Sequence, residues 1–511
     1  MKKHIFRNRK ARFASITVLL TLLVITVTVL ANAMVGKLAN RFNWYTVMVA
    51  QPNYEVTESC YDLLENAFDR FSEQGVATNA EIIFCNTKDK LAADESMVFI
   101  YESALALEAR FPEQISVKFY DVVSNPTLVQ NYATAPDPQT GEMVESIIPQ
   151  TSVIITDGGD YHHIYAREDF YLVRTGETGF WAYDGELRFA SGILRALDPQ
   201  RPVACLMQNH GETFYDYELH IQLENAGYSV KPLNLYTDEI PEDCTLLVSY
   251  NPTADLTSDE LSATSEPDLL DAYLSESGNN LMVLVGNSSP ALPNFEKFLA
   301  KWGVGFDYHT VSGKNYRYMV NDESNSLTSD GYTIYGEQAD FEMLSGLSKP
   351  AIFRNATAMD NASDFVSNGN GGYAKGNRTM YPLYTGGATA ESWADGSYLG
   401  GADDAILMSL TQQANADGGV SSVAVVAATD FASEDLLQSV VYGNNDVLFR
   451  MLKIFGKNHT PEGLTAKPFQ TEGISMITTR EMTAWTVALA VTPALVLTAI
   501  ALVVLIRRRR A

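Results

Sequence analysis

Basic residues are scarce in this chain. Lys and Arg number 36 against 62 Asp and Glu over 511 residues, a formal net charge of −26. A body this acidic repels polyphosphate, which argues against nucleic acid as a partner. Much of the basic charge is crowded at the two ends, in Lys2, Lys3, Arg7, Arg9, Lys10 and Arg12 and in Arg507 to Arg510. The span between is therefore more acidic still, which suits an extracytoplasmic face, cations or cationic partners; plain solubility is the alternative. Cysteine is sparse too. Cys60, Cys85, Cys205 and Cys244 form no C-x-x-C, so zinc-ribbon and thioredoxin redox motifs are excluded. There is no G-x-x-x-x-G-K-[ST], so the chain is not itself a P-loop ATPase. G-x-S-x-G, H-E-x-x-H and the EF-hand loop are missing as well. His162 and His163 fall on one expected strand, where neighbours face opposite ways. Asp403 and Asp404 sit in an acidic, loop-like setting that is unspecific. No metal and no cofactor is expected.

Long uncharged runs are what the chain does have. Residues 13–36 and 482–506 carry no charge, and about 20 apolar residues in a helix span a bilayer core. Both are expected to be transmembrane helices. For the first, a cleaved signal peptide is the alternative, since Ala31-Asn32-Ala33 has the A-x-A pattern. Basic residues at the outer ends, 1–12 and the Arg tail 507–511, place both termini in the cytoplasm. The expectation is a two-pass cell-membrane protein with a large extracytoplasmic body. Such a compartment permits disulfides. Cys205 and Cys244 are the candidate pair; otherwise all four cysteines are small buried apolar residues.

The body reads as α/β. Over residues 43–190, strand, helix, strand and hairpin follow in order, with Asp157-Gly158-Gly159-Asp160 at the hairpin turn. This suggests a small thioredoxin-like βαβ domain without redox cysteines. Over residues 201–456, apolar strands alternate with helices, as in a parallel sheet buried on both faces. Within it, residues 308–420 lose the pattern and read as a loop-rich insertion, with long loops or short strands as the alternatives. A linker, 457–481, follows.

One turn stands out. Val203 to Met207 is an apolar strand that ends in Asn209-His210-Gly211-Glu212, before a helical pattern. Ligands of open α/β sheets sit at the carboxyl ends of strands. His210 has the chemistry of a base or metal ligand. Gly211 lets the backbone approach closely. Glu212 is a carboxylate partner, or a charge favoured at a helix start. Asn251 and Asp430 close two further strands. These six residues, Asn209, His210, Gly211, Glu212, Asn251 and Asp430, are the candidate ligand-binding set, and no catalytic residue is assigned. A purely structural strand–helix turn is the alternative.

Five stretches in this order resemble the GldG-like family, which are auxiliary, substrate-binding-like membrane proteins of bacterial ABC-type transport systems associated with gliding motility. They are DGELRFASGILRAL (184–197), the NHGE loop, IPEDCTLLVSYNPTADLTSDE (240–260), SSVAVVAATDFAS (421–433) and the arginine-closed C-terminal apolar run. The chain departs from the pattern at Asn209, where the family has glycine, and at Ser277-Gly278-Asn279-Asn280 in place of a double glycine. The resemblance implies a non-catalytic membrane-anchored subunit working with separate ATPase and permease chains at the lipid bilayer. It also implies a second domain similar to class I glutamine-amidotransferase-like folds, an analogy that carries no activity. The rival readings are an extracytoplasmic hydrolase or amidase using His210 and Glu212, and a structural envelope protein.

Overall fold

Thr57 opens the first helix, its hydroxyl accepting the N–H of Cys60 at 3.4 Å. This helix, α1 (Glu58–Glu73), buries Cys60, Leu64, Ala67, Phe68 and Phe71 on one face, the helical spacing its sequence dictates. The computed structural model describes residues 55–136, 143–145, 147–159, 161–174, 176, 179–212, 217–258, 265–286, 289–402, 404–457 and 459–469. All of them belong to one compact unit, Pro52–Ala511.

After α1 come β1 (Ala80–Phe84), α2 (Val98–Arg110), β2 (Ile115–Phe119), and the hairpin β3 (Val153–Thr156) and β4 (His162–Tyr165). They form a four-stranded sheet of order β2-β1-β3-β4. Its first pair is parallel and the others antiparallel. Against this sheet lies α3 (Gly185–Leu197), buried along nearly its whole length. The approach is close enough that a Cβ on Gly192 would come within 2.5 Å of the Ile155 side chain.

The rest builds on a second, larger sheet. Its strands are β5 (Val203–Met207), β6 (Ser229–Leu233), β7 (Cys244–Tyr250), β8 (Asn280–Leu284), β9 (Arg378–Thr385), β10 (Ile406–Ala414) and β11 (Val420–Val426). The spatial order is β6-β5-β7-β8-β11-β10-β9, continued by short strands. The first five run parallel, and β10 and β9 are antiparallel additions. Helices α4 (Tyr217–Asn225), α5 (Glu266–Tyr273), α6 (Pro293–Ala300) and α7 (Asn444–Ile454) flank it.

Alternation along the parallel strands feeds two cores. Ala204, Leu246, Val248, Met282, Leu284, Ala424 and Val426 face one way. Val203, Cys205, Leu247, Leu281, Val283, Val423 and Val425 face the other. A sheet buried on both faces needs this near-continuous apolar sequence, and each large side chain so buried contributes about 1.5–3 kcal/mol. The first core continues through α3 into the small sheet, where Ile82, Ile155, Phe189 and Ile193 belong to it. All four cysteines are buried and free.

Two expectations are corrected. Residues 308–420 are not loops. They hold β9, β10 and several short strands, some joined by two-residue turns. Ser312-Gly313 and Asp395-Gly396 have φ of +51° and +79°, and +47° and +72°, the left-handed pairs that tight hairpins need. The flanking transmembrane helices, and the two-pass membrane location built on them, are not supported either. No helix among the described residues is long and apolar enough to cross a membrane. The longest of them, α1, has 16 residues, about 24 Å at 1.5 Å per residue, and one of its faces is polar. Segments 1–12, 13–36, 470–481, 482–506 and 507–511 lie outside the described residues.

The two ends of the described body meet at α3. Glu186, 5 % exposed, accepts the N–H and the hydroxyl of Thr57 at 2.8 and 2.9 Å and the Lys467 ammonium at 2.7 Å. Lys467 also donates to the Glu55 carbonyl. Glu186→Ala leaves these donors without their acceptor, and we expect a loss of about 2–4 kcal/mol. Hydrogen exchange should show the loss concentrated in the first turns of α1. Unchanged exchange there would show that Glu186 does not tie the ends.

Candidate functional site

The parallel order β6-β5-β7-β8-β11 brings the carboxyl ends of these strands to one edge. From β5 the chain crosses to β6 on one side; from β7 it crosses to β8 on the other. The crevice between the ends of β5 and β7 is thus the point at which chain direction reverses, where α/β sheets take ligands. NHGE lies there.

This crevice is filled by its own loops. Asn209 has a φ of +83° and Gly211 of +71°. Asparagine tolerates the left-handed region better than other side-chain-bearing residues, so it serves where the resembling family has glycine. The His210 carbonyl accepts the N–H groups of Thr253 and Ala254 at 2.8 and 2.7 Å, joining the loop after β5 to the loop after β7. A Cβ on Gly211 would meet the Thr253 hydroxyl at 2.0 Å.

The His210 ring is 3 % exposed and lies between two carboxylates. Nδ1 is 3.2 Å from Glu212 Oε1, and Nε2 is 3.0 Å from Glu266 Oε2. Glu212 also accepts the His210 N–H at 2.7 Å. Glu266, fully buried at the start of α5, accepts the Thr257 N–H at 2.6 Å. Burial works against a charged imidazole. The hydrogen bonds and charges of Glu212 and Glu266 outweigh it and push the His210 pKa up to about 9. For Glu266, burial favours the neutral acid, but the bonds to His210 and Thr257 hold its pKa below the usual value. At neutral pH this is an imidazolium with both N–H groups spent. It has no lone pair to accept a proton or bind a metal.

The six residues singled out from sequence do not converge. His210 and Glu212 touch, and exposed Asn209 and Gly211 shape their turn. Asn251, with a φ of +52°, accepts the Ser289 hydroxyl at 2.9 Å on the loop after β8. Asp430 lies three strands from His210, about 14 Å at the usual spacing, and accepts the Asn355 side chain at 3.2 Å. Glu266 was missed. It lies 56 residues from His210 in sequence, and the acid-rich stretch holding it gave no sign of being buried.

A second constellation was also missed. Asp184 and Glu218, each 4 % exposed, line a small cleft of about 20 Å³. The cleft lies among the start of α3, α4, residues 437–446 and residues 464–466. Glu218, Gln222 and Asn225 form one face of α4, at the i, i+4 and i+7 spacing. Glu218 accepts the amides of Gln222 and Gln438. Arg188 Nη1 donates to Asn225 at 3.0 Å, and its Nε is 3.6 Å from Asp184. Burial, only partly offset by Arg188, pushes the Asp184 pKa up to about 7. The sequence signal was present in the quoted DGELR and in Glu218-x-x-x-Gln222, but a polar helical stripe ordinarily marks a solvated face. Among the described residues no cluster of three or more His, Cys, Asp or Glu side chains could hold a metal ion.

No protein-family model matches the chain, and no curated protein matches it. Among solved structures it is similar to the mmIFT52 N-terminal domain, at 12% identity over 50% of this chain and 96% of that one, with a TM-score of 0.35. It is also similar to PurLQS from Thermotoga maritima, at 14% identity over 50% of this chain and 99% of that one, with a TM-score of 0.23. At these scores neither similarity bears on fold or activity.

The histidine's charge has a measurable consequence. Its folded pKa lies above the ordinary 6.5, so its contribution to stability is full below about pH 6.5 and is lost as pH rises through about 9. His210→Ala leaves two buried carboxylates without their cation, and we expect it to cost about 3–5 kcal/mol at pH 7. Adding Glu212→Gln and Glu266→Gln should recover part of that loss. Denaturant unfolding at pH 6, 7.5 and 9.5 tests this. A wild-type stability flat across the three would refute the charged triad.

Proposed function

We propose that this chain is a non-catalytic auxiliary, substrate-binding-like subunit of a bacterial ABC-type transport system, acting with separate ATPase and permease chains. The ordered stretches from DGELR through NHGE to SSVAVVAATDFAS support the transport reading. The observation that carries the non-catalytic part is His210. The side chain best suited to chemistry at the sheet's ligand-binding edge is a doubly ion-paired cation. A hydrolase or amidase working through His210 and Glu212 needs a neutral imidazole with one nitrogen free, and both are held.

On this reading the NHGE turn is a structural pin. It fixes the loops after β5 and β7 so that the surface they form is preorganised for a partner, which lowers the entropic cost of docking. The test is copurification of the tagged full chain from detergent extracts of its native cells. Recovery of an ABC ATPase and a multi-span permease is the expected result. Recovery of this chain alone, from extracts in which other ABC complexes stay assembled, would overturn the transport reading.

A further inference from the structure

The chain holds two Asn-Gly pairs, Asn368-Gly369 and Asn370-Gly371, and both fall in one loop. Asparagine amides are chemically labile. They are most so before glycine, where no Cβ shields the next backbone nitrogen. The loop joins two short strands beyond β9 in the large sheet, Val366–Ser367 and Tyr373–Lys375, which pair antiparallel. It is closed by the Asn368 N–H, which donates to the Gly372 carbonyl at 2.9 Å. Residues 368 to 371 are all exposed.

The two asparagines are held differently. The Asn368 side-chain oxygen accepts the N–H groups of Asn370 and Gly372 at 2.8 and 3.1 Å, which pins the amide in place. The Gly369 N–H, the nitrogen that would attack it, makes a long bond of 3.4 Å to the Ser367 hydroxyl. For Asn370 neither reactant is tied. Among the described residues no hydrogen bond holds its side chain or the Gly371 N–H. The backbone also keeps glycine at 371. Its φ is +80°, and a Cβ there would come within 3.2 Å of the Phe341 ring. An unshielded nitrogen is thus retained directly behind a free asparagine amide.

We propose that Asn370 is a site of spontaneous covalent modification in the folded protein, and that Asn368 is spared. The Gly371 nitrogen attacks the carbonyl carbon of the Asn370 side chain. Its proton and the amide group leave together as ammonia, and a five-membered cyclic imide remains. Water, the one co-reactant, then opens either imide carbonyl. One opening gives aspartate. The other gives isoaspartate, whose main chain runs through the side chain and is one carbon longer. Nothing is oxidised or reduced. The extra atom falls between the residue 370 and Gly372 N–H groups, which both aim at the Asn368 oxygen. They no longer converge on it, so the modification loosens the loop in which it occurs. The inference is independent of the transport reading.

The experiment is incubation of the full chain at pH 8 and physiological temperature, folded and, in parallel, unfolded in denaturant. Samples taken over time are digested, and the peptide holding both asparagines is analysed by chromatography and mass spectrometry. Each conversion exchanges ammonia for water and is read as a mass gain, placed on one residue by fragmentation. In the folded chain Asn370 should react several-fold faster than Asn368 and give two separable products of equal mass. In the unfolded chain the two should react at similar rates, since both precede glycine and neither is held. Asn370→Gln should remove the folded-state signal. Equal folded-state rates at the two asparagines would overturn the proposal. So would an Asn370 that reacts only in the unfolded chain, because the loop would then be protecting it.

Discussion

The constraint on which the rest of the structure depends is the burial of α3. Its chain is covered by the small sheet on one side and by α4 on the other, yet its first turn carries Asp184, Glu186 and Arg188, each under a tenth exposed. Charges in such a place must be paired, and most of the partners come from distant segments. Glu186 is matched by Thr57 and Lys467, and Arg188 by Asn225 of α4. Gly185 allows the helix to begin there, since a Cβ would fall 1.9 Å from the Tyr183 hydroxyl. The pairing demands of one buried helix thereby fix where the chain enters, where it leaves, and how the two sheets meet. Asp184 faces Arg188 of the same helix, 3.6 Å from its Nε.

The same logic operates in the loops at the carboxyl edge of the large sheet. His210, Glu212 and Glu266 form a second buried ionic group, and each member is affordable only with the others present. Such groups add little net stability over an apolar filling. Their effect is on specificity: Glu266 reaches His210 only if α5 starts at one place, and the Thr253 and Ala254 amides meet the His210 carbonyl only if the loop after β7 follows one path. The edge where α/β sheets ordinarily stay adaptable is here fixed by electrostatics.

Much of the layout was legible in the sequence because it is written in local pattern. The apolar runs at Val203–Met207, Cys244–Tyr250, Asn280–Leu284 and Val420–Val426 could hardly be anything but buried strands, and the helices between them follow from spacing and caps. The short strands of 308–420 were not legible, since three- to five-residue strands rich in Tyr, Ser and Gly lack a run long enough to show alternation. Ser312-Gly313 and Asp395-Gly396 carry hairpin-turn chemistry, but the sequence reading passed over them. At the site, the sequence pointed to His210 and Glu212 but not to their role. That role depends on Glu266, a long-range partner, and its burial turns a candidate base into a fixed cation. Asp184 and Glu218 escaped notice for the same reason: a carboxylate in a polar helical stripe reads as solvated until a second layer covers it.

Glu186 has one further consequence, which is mechanical. Residues 55–57 and 467 leave the body side by side, joined through a single carboxylate and the two-residue strand pairing of Lys467 and Pro468 with Ala182 and Tyr183. A pull on either flank is therefore delivered to the first turn of α3 before it loads any strand of the four-stranded sheet or of the larger one. That turn also carries Asp184. Tension at the ends would therefore bear on the buried Asp184–Arg188 pair of the same turn.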